Sequence, residues 1–232
     1  MPERATSRLG DSRREMIVNQ ATELSARFRD VITSEAEVRA VTGDPHQRSL
    51  AKVVRVIDEH SRRFIAAAPF VFIASTNDDG TADISPKGDP AGFVKVLDER
   101  TLAIPDRLGN RRFDTFRNIL RNPAVGLIFV IPGITYTLRV SGTAIIVRDA
   151  DLRADLAVNG KLPDHVLIVD VRRVLSHCPK CMIRSGLWKP EAWPDTAAVP
   201  SFAETLTAQA RIGESVAQVE AMIEASNRDR LY

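Results

Sequence analysis

The feature that most constrains this chain is a change of period at Phe70. Before it, apolar residues recur at intervals of three and four. After it come short β-branched and aromatic runs separated by tight turns, and a helical period cannot be laid over them. FVFIAST is followed by Asn77-Asp78-Asp79-Gly80, a turn that supplies positive backbone angles at little cost, and TADISP is the natural return strand. GFVKVL, then TLAIP after Asp98-Glu99-Arg100, then VGLIFVIP, YTLRVSGTAIIV and HVLIVDVRRVL continue the series. The pattern gives six or seven strands with mostly hairpin-like connections. It predicts a mainly β protein with flanking helices, its sheet a closed or nearly closed antiparallel barrel.

Helices are expected on both sides of the strands. Residues 1 to about 13 read as disordered, and ATELSARFRDVITSEAEVRAV reads as a helix ended by Gly43-Asp44-Pro45. A second helix over residues 48–67 would put Leu50, Val53, Val54, Ile57, Phe64 and Ile65 on one side, with Pro69 as its stop. Shorter helices are expected over 111–120, near 151–157, and in HCPKCMIRSGLW up to Gly186. A terminal helix over 201–226 would carry Phe202, Leu206, Ile212, Val216, Val219 and Ile223 as its apolar stripe.

Of the 232 residues, 44% are hydrophobic and 27% charged, an ordinary globular balance that excludes a largely disordered chain. The formal charge is only +2, with acids and bases interleaved, which disfavours nucleic acid as a partner. No apolar run is long enough for a bilayer, and the first twenty residues lack the hydrophobic core of a secretory signal. The expectation is a cytoplasmic protein with no membrane association. There is no Walker loop, no GxGxxG after a strand and no GxSxG elbow. Ser176 and His177 are sequence neighbours, so on a strand they point to opposite faces and do not form a nucleophile and its base.

Two loops could carry chemistry. In LAIPDRLGNRRFDTFRNIL a strand ends at a proline, a Gly-Asn turn follows, and Arg111 and Arg112 precede an amphipathic segment. With Asn110 as cap, a helix starting there would gather free N–H groups, a partial positive charge and two guanidinium groups, which suits a phosphate. The same residues also suit a solvated turn whose arginines pair with Asp106 or Asp114. The second loop, DISPKGDPAG, offers the Ser85 hydroxyl and the Lys87 ammonium among glycines and prolines at a strand end. His177, Cys178 and Cys181 could be three zinc ligands, but no second ligand pair completes a site, so no metal is expected. Two cysteines three apart are not a secreted disulfide framework.

The segments FIAAAPFVFIAST, ADISPKGDPAGFVKVLDERTLAIPDRLGNRR, NILRNPAVGLIFVIPG, TLRVSGTA and HCPKCMIRSGLW occur in the order of the pyridoxamine 5′-phosphate oxidase-like, FMN-binding split-barrel proteins. Over about residues 60 to 195 the chain resembles that family, nearest the branch of probable FMN-dependent proteins with SPRGDP, IPDRPGNRR and HCAKA-type segments. Lys87 stands where that branch commonly has arginine, which keeps the charge but loses the planar fork. Cys181 takes the place of a small residue.

The resemblance implies a six-stranded split barrel that dimerises, with one FMN in each of two clefts between the subunits. It divides the chain into a helical extension (1–68), an FMN-binding barrel (69–195) and a C-terminal helix (196–232). It implies that Ser85, Pro86 and Lys87 lie near the flavin ring or ribityl chain, Ile104, Pro105 and Asp106 along the ring edge, and Asn110, Arg111 and Arg112 on the phosphate. Arg139 would face the flavin from the partner subunit, and Arg184 and Trp188 would wall the site from that subunit, the alternative for Trp188 being an ordinary core tryptophan. The implied function is FMN-dependent oxidoreduction of a small organic substrate, with no catalytic proton donor identified. The rival is a carrier or sensor that holds FMN, haem or a deazaflavin without turnover.

Overall fold

The computed structural model describes residues 23–232. The expected disorder near the start, and the first two residues of the first expected helix, lie outside that range.

The strands are β1 (Phe70–Thr76), β2 (Ala82–Gly88), β3 (Lys95–Val96), β4 (Thr101–Pro105), β5 (Ala124–Val130), β6 (Thr137–Val147) and β7 (Val166–His177). They make one antiparallel sheet in the order β2-β1-β5-β6-β7-β4-β3. The sheet has seven strands, within the six or seven read from the pattern and one more than the family resemblance implies. The expected strand GFVKVL is cut to β3, where only Lys95 and Val96 pair with β4. Phe93 and Val94, from the same apolar run, turn into the core at 7% and 2% exposure.

That order forces the sheet to curl. β2 and β3 lie at opposite edges, yet only residues 89–94 connect them. Seven flat strands would be about 29 Å wide, six spacings of roughly 4.8 Å. The connector reaches about 25 Å at full stretch. Ion pairs mark where the edges meet. Lys87 Nζ of β2 donates to Asp106 Oδ1 just beyond β4 at 2.9 Å, and Arg107 Nε donates to Asp89 Oδ2 at 2.5 Å. The result is a barrel split along the β2–β4 seam. Inward residues of alternating strands fill it, among them Val71, Ile73, Leu127, Phe129, Val140, Leu102, Ile104, Val169 and Val171.

Helices cap the barrel, with boundaries that differ from those read from periodicity. Of the first expected helix, residues 23–25 are helical, the chain then leaves the helix, and α1 (Glu35–Thr42) begins where Ser34 caps it by accepting the Glu37 N–H. The expected helix over 48–67 is two, α2 (Gln47–Ala51) and α3 (Glu59–Ala67). Between them Val54 is extended and exchanges both backbone hydrogen bonds with Val174 of β7, at 3.0 and 2.8 Å. Asp58 then restarts the helix by accepting the Ser61 N–H at 2.7 Å. That bond holds its carboxyl below the usual range.

The helix expected over 111–120 is the shorter α4 (Asp114–Ile119), and α5 (Ala150–Asp155) follows β6. The HCPKC segment gives α6 (Lys180–Ser185), which ends at Gly186 in the left-handed region, as its sequence predicts. The terminal helix is a pair, α7 (Phe202–Ala210) and α8 (Val216–Asp229), broken where Arg211 and Gly213 take positive φ and Ser215 begins a new capping box. Of the expected stripe, Val219 is buried at 2%, while Phe202 and Ile212 are exposed at 68% and 70%. No helix among the described residues is long and apolar enough to cross a membrane.

The longest pairing, β6 with β7, carries a bulge. Ser141 faces Arg173 and Gly142 faces Val171, leaving Arg172 without an opposite residue. A Cβ on Gly142 would collide with the Asp170 carbonyl oxygen. Gly142→Ala is therefore expected to cost about 1–3 kcal/mol of stability. Urea denaturation measures this as a lower midpoint at an unchanged slope.

Candidate functional site

A cleft of about 590 Å³ opens along the seam, between the free edge of β2 and the loops 106–113 and 161–165. As an edge strand, β2 turns a row of backbone N–H and C=O groups away from β1 and toward the opening. Successive residues alternate across it: Ser85 and Lys87 pair in register with the inward Ile73 and Val71, while Pro86 lies opposite the outward Phe72. Both sets line the cleft because it wraps around the strand edge.

The loop leaving β4 is held by its own side chains. Asn110 Oδ1 accepts the Arg112 N–H at 3.0 Å, a local turn rather than the helix cap expected of this residue. Arg111 and Phe113 have φ of 59° and 56°, a left-handed conformation that costs a side-chain-bearing residue about 1–2 kcal/mol. Phe113 is the N-cap of α4 and makes no side-chain cap bond. It stacks on Phe116 at 5.6 Å instead. The two arginines thus precede the helix, and its N-cap Phe113 and first residues Asp114, Thr115 and Phe116 line the cleft beside them.

The cations of the cleft are not equivalent. Arg112 Nε donates to Asp114 Oδ2 at 2.7 Å, and Arg117 also bonds Asp114. The Arg112 hydrogen bond holds the Asp114 carboxyl below its ordinary range, and Asp114 in turn raises the guanidinium. Arg107 is committed to Asp89 and to the Leu156 carbonyl at 3.0 Å. Lys87 is paired with Asp106, both partly buried. Arg111 is exposed, lines the cleft, and makes no hydrogen bond or ion pair among the described residues.

Two polar groups that sequence reasoning overlooked fix the walls. Asn118, only 4% exposed, donates to Ser75 Oγ at 3.1 Å and to Asp83 Oδ2 at 2.7 Å, tying α4 to β1 and β2. Tyr232 reaches the other end of the cleft, where its hydroxyl donates to Asp89 Oδ1 at 2.8 Å and its ring lies 6.0 Å from the Arg107 guanidinium carbon. The Asp89 carboxylate raises that hydroxyl above the usual tyrosine range. The Asp83 carboxylate was legible as part of a polar loop, whereas nothing near Tyr232 in sequence points to Asp89. His165, also unforeseen, lines the cleft beside Phe113 and Phe116.

Of the residues singled out from sequence, Ser85, Pro86, Lys87, Asp106, Asn110, Arg111 and Arg112 come together in this cleft. Ile104 and Pro105 are buried, and their strand pairs with Leu167 and Val166. Arg139, on the outer face of β6, is opposite Ile128 and Leu175. Arg184 is exposed on α6, and Trp188 donates its ring N–H to the Ile134 carbonyl at 2.9 Å. None of these three lines the cleft of its own chain. His177 and Cys178 line a separate hollow with His60 and Tyr136, and both cysteines are exposed free thiols.

The family model described as pyridoxamine 5′-phosphate oxidase matches residues 57–178, more than half of the chain. The chain belongs to the pyridoxamine 5′-phosphate oxidase family. The match runs from the segment entering α3 to the end of β7, so in this family member both walls of the seam fall inside it. Among solved structures, HupZ from Group A Streptococcus is 20% identical, covering 52% of this chain and 93% of that one at a TM-score of 0.43. A putative pyridoxamine 5′-phosphate oxidase from Lactobacillus delbrueckii is 22% identical, covering 53% and 99% at a TM-score of 0.41. An FMN-binding protein from Syntrophomonas wolfei is 10% identical, covering 50% and 82% at 0.40. Comparison with curated proteins gave no match.

Asn118→Ala would leave Asp83 and Ser75 without their buried donor. It is expected to lower stability by about 1–3 kcal/mol, read from the denaturant midpoint.

Proposed function

We propose that this family member binds FMN in the seam cleft and works as an FMN-dependent oxidoreductase on a small organic substrate. The observation that carries the reading is the unpaired Arg111 guanidinium on the wall of a cleft where Lys87, Arg107 and Arg112 already have carboxylate partners and Lys161, on the opposite loop, adds a second cation without one among the described residues. A guanidinium with no internal partner is free to pair with phosphoryl oxygens. The residues present fit such a cofactor. The volume of about 590 Å³ lies within the roughly 300–1,000 Å³ of small-molecule sites. The β2 edge offers backbone donors and acceptors to a planar heterocycle, and Ser85 and Lys87 offer a hydroxyl and an ammonium.

When bound, the flavin supplies the hydride or electron transfer, and the protein supplies its orientation and surroundings. Arg111 would hold the phosphate, with Asn110 setting the turn. Ser85, Pro86 and Lys87 would lie along the chain and ring, and the backbone through Ile104, Pro105 and Asp106 along the ring edge. Lys87 near the ring would favour negative charge there, moderated by Asp106.

The reading includes a homodimer. Phe72 and Ile128, 38% and 39% exposed, adjoin on the outer sheet face in a register row with Pro86 and Arg139. An apolar row of this kind suits a second copy. Arg139, Arg184 and Trp188, remote from the cleft of their own chain, would then serve the cleft of the other.

Purified protein should be yellow or take up added FMN, bleach on anaerobic reduction and recover its colour with an electron acceptor. Arg111→Ala should weaken FMN roughly 10- to 100-fold in a fluorescence-quenching titration, with riboflavin affinity nearly unchanged. Equal loss for both would remove the phosphate role, and no binding of either would remove the cofactor. Sedimentation velocity should show a wild-type dimer and an Ile128→Asp monomer with weakened FMN binding. A wild-type monomer that binds FMN would end the dimer reading.

A further inference from the structure

His165 precedes β7, and its carbonyl accepts the Asp106 N–H at 3.0 Å, which fixes it across from the Lys87–Asp106 pair. Its ring is held edge-on to two aromatics, 6.1 Å from Phe113 at 74° and 5.5 Å from Phe116 at 78°. Nδ1 is buried and meets no hydrogen-bond partner among the described residues. Nε2 makes no such bond either, yet it is not among the buried unpaired atoms, so it is the open corner of a ring that lines the cleft.

Buried nitrogens without partners are rare enough to need a reason. A neutral imidazole has one N–H and one lone pair. A proton on Nδ1 would bury an N–H with no acceptor, the rarer and costlier defect. A proton on Nε2 leaves only a lone pair buried and turns the donor toward the cleft. Phe113, which braces the ring, directly follows the Arg111-Arg112 turn, so this donor opens beside the same end of the cleft.

We infer that His165 is a ligand-contacting residue, held as the Nε2–H tautomer, that donates a hydrogen bond to a phosphoryl oxygen of the molecule bound at Arg111. The identity of that molecule as FMN rests on the function proposed above. The donor role itself needs only a phosphorylated ligand.

The test is long-range ¹H–¹⁵N NMR on the full chain, with the His165 signals assigned by their loss in His165→Gln. The expected result is the Nε2–H tautomer in the free protein, with Nε2 shifted by FMN and by inorganic phosphate but not by riboflavin. His165→Gln, which keeps an N–H donor, should bind FMN within about threefold of wild type, and His165→Phe should lose about 3- to 10-fold, both with riboflavin affinity unchanged. A free-state Nδ1–H tautomer, a His165 signal indifferent to FMN while FMN binds, or a shift caused equally by riboflavin would overturn the assignment. A shift with inorganic phosphate in a protein that does not bind FMN would sustain His165 as a phosphoryl donor and reject the flavin.

Discussion

The joining of the two sheet edges is the constraint on which the rest of this molecule depends. A six-residue connector ties β2 to the far side of the sheet, and the curl this demands brings Asp89 and Lys87 against Arg107 and Asp106. Asp89 is the costliest member, with a side chain only 1% exposed. A buried carboxylate is tolerable only with partners on both oxygens, and Arg107 and Tyr232 supply them. Closure of the barrel and formation of the cleft are therefore one event, since the seam that these pairs hold is also the mouth of the site.

That origin explains how charge is divided there. Arg107 and Arg112 both border the cleft, but one is spent on holding the edges and the other on fixing the start of α4 through Asp114. Arg111 lies between them in sequence and is left without a partner, in a left-handed backbone conformation that its neighbours maintain. Asn110 forms the turn and Phe113 anchors it by stacking. The loop thus separates the groups that keep it folded from the group it offers to a ligand.

Much of this was legible in the chain itself. The strands β1, β4 and β6 follow their apolar and β-branched runs almost residue for residue; β1 puts every second side chain into the core, whereas Leu102 to Pro105 of β4 are all buried, with Ala103 in a second cluster behind the sheet. The cluster of Ser85, Lys87, Asp106, Asn110 and Arg111 was legible through loop composition and family motifs. Other features were not. Helical spacing ran unbroken through Val53 and Val54, and only pairing with Val174 turned that stretch into an extended bridge. GFVKVL looked like a full strand, but Phe93 and Val94 were claimed by the core. Asn110 is a good cap by type, yet it turns the backbone before the helix instead of starting it.

The sequence by itself determined the local periods, the turn chemistry, the mixed charge that disfavours nucleic acid, and which loops carry cations and hydroxyls. These depend on neighbours a few residues apart, and a linear pattern records them. Only the tertiary structure decided which cations are free, where the seam falls, and that Tyr232 meets a carboxylate 143 residues away while His165 keeps an open nitrogen. Such outcomes depend on partners brought together by the curl of the sheet, and no local pattern encodes a contact between residues so far apart in the chain.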